Sequence, residues 1–288
     1  MTGIRELLST KSNGLIVKLF EYDVENEQAF GELKEYLIKK IKTSKVHNSE
    51  EFDLSYYGSK NLNPEFIQKF KERIDQISIP QKTKIPQFDV RRERVTEWMA
   101  QLLLEKAYGC RFYKEADKRM NIEPVNINKH TPGVDAPGIR IVDGKIKFVI
   151  CEVKASEDKK IPCSSAVLLR NEIQNAIEDK ENRLTKEILQ YMNGIKNVKF
   201  KDEELQEIIE FLANLIVNSE QSVIDNVMFF PVLIRNNDTI IEKNDIDDYK
   251  DFIVSDIFDK NIENIIFAFR HPINDFSNNI YTEAIGNE

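Results

Sequence analysis

The sequence predicts an α/β protein in which a mixed sheet is flanked by helices. An N-terminal accessory α/β module is expected over residues 1–85 and the main domain over residues 86–288. Three observations lead there. Apolar runs of strand length at residues 145–151, 226–234 and 262–269 are interspersed with helical stretches at 94–104, 164–179, 184–192 and 202–217, the alternation of a layered α/β domain. The run at 145–151 is apolar on both faces, as in a strand covered by a layer on each side. With 288 residues, of which 41% are hydrophobic and 31% charged, the chain can bury a sizeable core and keep a polar surface.

The N-terminal block opens with a strand at 14–22. A helix follows at 25–41, with Phe30, Leu33, Leu37, Ile38 and Ile41 on one face. Residues 52–57 read as a short strand. Asn63 and Pro64 open a helix to about residue 77, with proline at an early helical position where its missing N–H costs nothing. Residues 79–86, which hold Pro80 and Pro86, read as a linker. This block carries no catalytic constellation, so it is expected to dock a partner or gate a site elsewhere.

In the main domain, Val95, Trp98, Met99, Leu102 and Leu103 recur at helical spacing, and Glu97 sits on or beside the border of that stripe. Residues 139–142 and 145–151 form a hairpin, with Asp143-Gly144 as its tight turn. Helices follow, the first carrying Arg170 and Gln174, either on its exposed surface or turned toward the site described next. The strand at 226–234 contains Pro231, which marks it as an edge or bulged strand. A last strand is expected at 262–269.

The chemistry concentrates at one strand end. Side chains alternate along a strand, so Glu152 and Lys154 share a face with Ile146, Phe148 and Ile150, while Val149, Cys151 and Val153 take the other. A carboxylate and an ammonium at the end of a buried strand are costly unless paired or bound to a metal. Asp135, just before the hairpin, can return beside them. Two carboxylates suit a hard cation such as Mg²⁺ or Mn²⁺, and a nearby lysine can orient water or stabilise charge on a phosphorane. The plain alternative is a strand end whose Glu152 and Lys154 reach solvent as a weak surface pair.

The motif Gly133-Val134-Asp135, followed by Cys151-Glu152-Val153-Lys154, resembles the active site of the restriction-endonuclease-like nucleases, the D…(D/E)xK superfamily. That resemblance implies a restriction-endonuclease-like core in the main domain, with Asp135 and Glu152 as metal ligands, Lys154 as a catalytic group and Mg²⁺ or Mn²⁺ as cofactor. It also implies that Glu97, on a helix upstream, faces the metal. The other reading of Glu97 is an exposed helix residue pairing with Arg94 or Gln101. The order of features, from the N-terminal block to Phe229-Phe230-Pro231-Val232-Leu233-Ile234, further resembles the nuclease subunits of Hachiman anti-phage defence systems, the HamA family. Membership would imply a Mg²⁺-dependent deoxyribonuclease controlled by a partner helicase. The alternatives are a non-catalytic DNA- or helicase-binding regulatory subunit and an RNA-directed nuclease.

Composition bounds the partners. The longest apolar runs are too short for a bilayer, and residues 1–13 have no signal core, so no membrane association and a cytoplasmic location are expected. Cys110, Cys151 and Cys163 have no metal-like spacing and fit a reducing compartment. The net charge of −8 disfavours nucleic-acid binding by the whole surface. A local basic set, Lys82, Lys84, Arg91, Arg92, Arg94, Lys106, Arg111, Lys114, Lys118 and Arg119, lies beside Tyr108, Phe112 and Tyr113 and suits phosphate contact and base stacking. Acidic neighbours, Glu93 among them, could equally satisfy it. Of the histidines, His130 lies near Asp135 as a candidate acid–base group, while His47 and His271 read as loop residues.

Overall fold

A two-residue turn sets up the strand that carries the site. Asp143 and Gly144 adopt φ of +52° and +78°, the left-handed pair that joins tightly turned antiparallel strands. They connect β3 (Ala136–Val142) to β4 (Lys145–Ser156), in a register running from Val142 opposite Lys145 to Ala136 opposite Cys151. Gly138 of β3 lies where the chain of Arg111 and Phe112 crosses. A Cβ there would stand 2.8 Å from the Phe112 ring and 2.9 Å from the Arg111 carbonyl oxygen. The computed structural model describes residues 3–12, 15–44, 63–80, 90–116, 135–159, 164–178, 183–217, 226–236 and 261–285.

The remaining strands are β1 (Ile4–Ser12), β2 (Leu15–Tyr22), β5 (Val227–Asn236) and β6 (Glu263–Phe269). They form one six-stranded mixed sheet in the order β1-β2-β6-β5-β4-β3. The inner four strands are parallel, and β1 and β3 run antiparallel at the two edges. The sheet crosses the boundary expected at residue 85. β2 pairs with β6 along Ile16–Tyr22, so the N-terminal strands belong to the same sheet as the candidate site. The strand expected at 52–57 and most of the linker at 79–86 lie outside the described residues.

The described helices are α1 (Glu27–Thr43), α2 (Pro64–Ile77), α3 (Val90–Tyr108), α4 (Ser164–Glu178), α5 (Arg183–Gly194), α6 (Asp202–Val217) and α7 (Ile273–Ile285), and helices pack on both faces of the sheet. Asn26 caps α1 by accepting from Ala29 N–H at 3.1 Å, and Asn63 caps α2 by accepting from Glu65 N–H at 2.9 Å, each satisfying an N–H that the helix cannot. On one face of the sheet, Val149, Cys151 and Val153 pack with Trp98, Met99 and Leu102 of α3, and the same core takes in Leu33 of α1 and Ile280 of α7. On the other face, Ile146, Phe148 and Ile150 meet Ile188 and Tyr191 of α5 and Phe211 of α6. Ala166 and Leu169 of α4 cover Val17, Leu19, Leu233 and Ile266. The expected split of β4 into two apolar faces is therefore observed.

Two readings are corrected. The helix around Glu97 buries the expected apolar stripe but not that alone, because 14 of the 19 residues of α3 are buried. It runs through the interior, so its polar residues are inside as well. Nor is the strand containing Pro231 an edge strand: β5 lies between β4 and β6. Phe229 N–H donates to Asn261 O on the β6 side at 2.8 Å. Alternate residues of a parallel strand address the same neighbour, so position 231 also addresses β6. There the ladder is interrupted, resuming only at Val232 opposite Ile265 in unchanged register. The missing proline donor falls in that gap, which allows proline in an interior strand.

Candidate metal centre

Three carboxylates converge where β3 begins. Glu93 and Glu97 stand one helical turn apart on α3, on the same side of the helix, and Asp135 immediately precedes β3. One oxygen from each lies within 4.8 Å of the other two. Glu97 is 4% exposed, whereas Glu93 and Asp135 are part-buried. This burial excludes the reading of Glu97 as an exposed surface residue. Gln101, its other expected partner, accepts from Lys40 Nζ of α1 at 3.1 Å.

Asp135 is tied to β4. β3 pairs with β4 only as far as Ala136 opposite Cys151, and Asp135 Oδ2 then accepts from Val153 N–H at 2.8 Å. The carboxylate thus replaces the next rung of the ladder and sits between Glu152 and Lys154. Burial pushes the Asp135 carboxyl up to about 6, opposed by the Lys154 charge and the Val153 N–H and reinforced by Glu93 and Glu172. An acid group crowded by other carboxylates in a partly dry site is the situation a divalent cation relieves.

Glu152 and Lys154 share a sheet face, as their spacing requires, and point away from the α3 side. Glu152 is 5% exposed, beside Pro231 in the parallel register, so it is not a solvent-reaching strand end. It is not one of the three converging carboxylates. Glu93 takes the third position in that grouping. The alternation of β4 accounts for this: Glu152 faces α4–α6, whereas Glu93 and Glu97 approach from α3. Lys154 Nζ forms an ion pair with Glu172 of α4 at 2.9 Å. Burial works against its charge, but Asp135 and Glu172 outweigh it and hold the ammonium above the ordinary lysine range.

Glu93, Glu172 and Arg235 escaped the sequence reading. Glu93 is signalled by its four-residue spacing from Glu97. Arg235 ends an apolar run, is fully buried, and directs Nη1 to Ser156 O at 3.5 Å, next to the end of β4. Glu172 has no local signal, because only the packing of α4 on β4 brings it to Lys154.

The donor set fits a hard cation. Carboxylate oxygens are the ligands that Mg²⁺ and Mn²⁺ take.

Among the described residues, most arginines of the basic set are engaged internally. Arg91 and Arg94 are 3% and 4% exposed. Arg91 donates to Pro80 O at 2.8 Å and lies over the Tyr281 ring. Arg92 donates to Ala155 O, and Arg111 pairs with Glu204 of α6 at 2.8 Å. Lys106 and Lys114 are exposed. Lys82, Lys84, Lys118, Arg119, His47, His130, Cys163, Gly133, Val134 and the side chains of Arg170 and Gln174 lie outside the described residues. His271 follows β6 and stacks on Phe30 at 4.9 Å, and Cys110 and Cys151 are buried free thiols.

The sequence matches no family model and no curated protein. Among the described residues, no helix is long and apolar enough to cross a membrane.

Proposed function

We propose that this chain is a metal-dependent nuclease that hydrolyses DNA phosphodiester bonds. The observation that carries the reading is the position of Asp135, within 4.8 Å of both Glu93 and Glu97 while bonded to the backbone between Glu152 and Lys154. In this reading Asp135, Glu97 and Glu93 hold Mg²⁺ or Mn²⁺, with Glu152 as the further ligand that the motif implies. The bound ion would supply Lewis-acid polarisation of the phosphoryl oxygen and a water of lowered pKa. Lys154 supplies positive charge where the phosphorane gains negative charge, and its ammonium orients the attacking water.

The chain carries an excess of eight negative charges, and its arginines beside the site are engaged internally. Both features weaken intrinsic attraction to DNA. We therefore infer that a partner, a helicase by the HamA resemblance, delivers the DNA, and that the system serves anti-phage defence. The test incubates purified protein, alone and with the product of the neighbouring gene, on plasmid, linear duplex, single-stranded DNA and RNA, with Mg²⁺, Mn²⁺ or EDTA. Cleavage of DNA that needs the metal and is lost in Lys154→Ala and Asp135→Ala is the expected result. Unchanged cleavage by Asp135→Ala would remove the assignment. Cleavage of RNA alone would redirect the substrate.

A further inference from the structure

We propose that Glu172 is a positioning residue that holds Lys154 off the cation-binding carboxylates. The inference rests on the metal-dependent reading above. Lys154 Nζ lies 2.9 Å from Glu172 and within the electrostatic reach of Asp135 and Glu152. It is therefore paired with the carboxylate of α4 while it also feels the charges of Asp135 and Glu152.

A lysine is a compact charge on a flexible four-carbon stem, and the Lys154 side chain is 28% exposed, so it has room to move. Without Glu172, the charges of Asp135 and Glu152 still act on the ammonium. An ammonium bonded to Asp135 would occupy an oxygen that a divalent cation needs, and its charge would oppose the cation directly.

The helix behind Glu172 packs on the sheet. Ala166 and Leu169 of α4 are buried against Leu233 of β5 and Ile266 of β6. Ser165 Oγ lies 3.5 Å from Ala155 O, one residue beyond Lys154. The helix is thus anchored to the strand that carries the lysine, and Glu172 projects from it to draw the ammonium to the side away from α3.

The test measures binding of Mn²⁺ alone to the full-length chain, by calorimetry or by the Mn²⁺ electron paramagnetic resonance signal. It uses wild type, Glu172→Gln, Lys154→Met and the double variant, with thermal unfolding in EDTA as the check of folding. Glu172→Gln is expected to weaken Mn²⁺ binding by roughly three- to fivefold, the scale of a part-exposed ion pair. Lys154→Met is expected to tighten it, and in the Lys154→Met background the Glu172→Gln change is expected to have almost no effect. Glu172→Asp, which keeps the charge, should restore part of the affinity. A Glu172→Gln loss of the same size with and without Lys154, or no loss at all, would overturn the positioning role while leaving the metal centre standing. A wild-type chain that binds no Mn²⁺ would remove the metal centre, and this inference with it.

Discussion

The Asp135 carboxylate accepts the Val153 N–H at 2.8 Å, one residue past the last β3–β4 pair. A side chain therefore completes a backbone ladder, and the same side chain faces Glu93 and Glu97 of α3. Few arrangements fix a carboxylate so firmly in the company of others. The hydrogen bond and the Lys154 charge offset part of the cost, and a divalent cation would offset the rest.

The pH dependence of stability follows from this. The folded Asp135 carboxyl titrates at about 6, against an ordinary value of 3.8. Between these values the folded protein holds a proton that the unfolded chain has released. Its contribution to stability thus falls as pH rises through this window and levels off above it. Asp135→Asn keeps an acceptor for Val153 N–H but cannot ionise. In EDTA, the Asn variant should gain stability relative to wild type from pH 4 to 6.5 and hold that advantage to pH 8. Thermal unfolding across this range checks it. Wild-type Mn²⁺ affinity should drop as pH falls below about 6, because the ligand form is the carboxylate.

Glu93 gives a second prediction, since motif reading did not select it. If it shares the ion with Glu97 and Asp135, Glu93→Gln should lower Mn²⁺ affinity by at least about tenfold, since losing a ligand costs no less than losing a group that only orients one. Metal-free stability should hold or rise, since one like charge has gone. Calorimetric titration beside a melting curve separates the two effects.

Much of this arrangement was legible in the sequence. The Asp143-Gly144 turn, the two apolar faces of β4 and the proximity of Asp135 to Glu152 and Lys154 are consequences of local chain geometry. β1 and α7 were not read. β1 is an edge strand whose Leu7 and Leu8 are 39% and 41% exposed, and a register shift between Glu6 and Leu8 breaks its alternation. The all-round burial of α3, the pairing of Glu172 with Lys154 and the interior position of Pro231 depend on tertiary packing or strand order. No local pattern carries that information.

Trp98 tests the support of the site. It is 3% exposed and packs in the core between α3 and the sheet, one residue from Glu97. Trp98→Ala should cost about 3–5 kcal/mol of unfolding free energy. Because α3 carries two of the three carboxylates, Mn²⁺ affinity should fall as well, even under conditions where the variant stays folded. Denaturant unfolding and Mn²⁺ titration check the two parts.

The last prediction concerns the N-terminal region, expected from sequence to be a separable docking module. In the fold, β2 is an interior strand paired with β6 from Ile16 opposite Glu263 to Tyr22 opposite Phe269. Its Val17 and Leu19 are buried on one face, and Phe20 and Tyr22 on the other. Leu33, Leu37 and Ile41 of α1 belong to the same core as α3, and Glu21 holds Arg5 at 2.5 Å and Arg270 at 2.8 Å, linking β1, β2 and the end of β6. Deleting residues 1–80 would strip one edge of β6, expose apolar side chains on both sheet faces and leave a bare strand edge open to aggregation. The truncated chain is therefore expected to be insoluble or unfolded, without a cooperative melting transition. Purification of the truncated chain with a sharp transition and wild-type Mn²⁺ affinity would show instead that the two regions fold separately. Loss of a partner on deletion is thus no evidence of docking by this region. Point substitutions at exposed positions such as Leu7 and Leu8 of β1 can test docking with the core intact. They should leave the melting temperature nearly unchanged, because exposed side chains contribute little to stability.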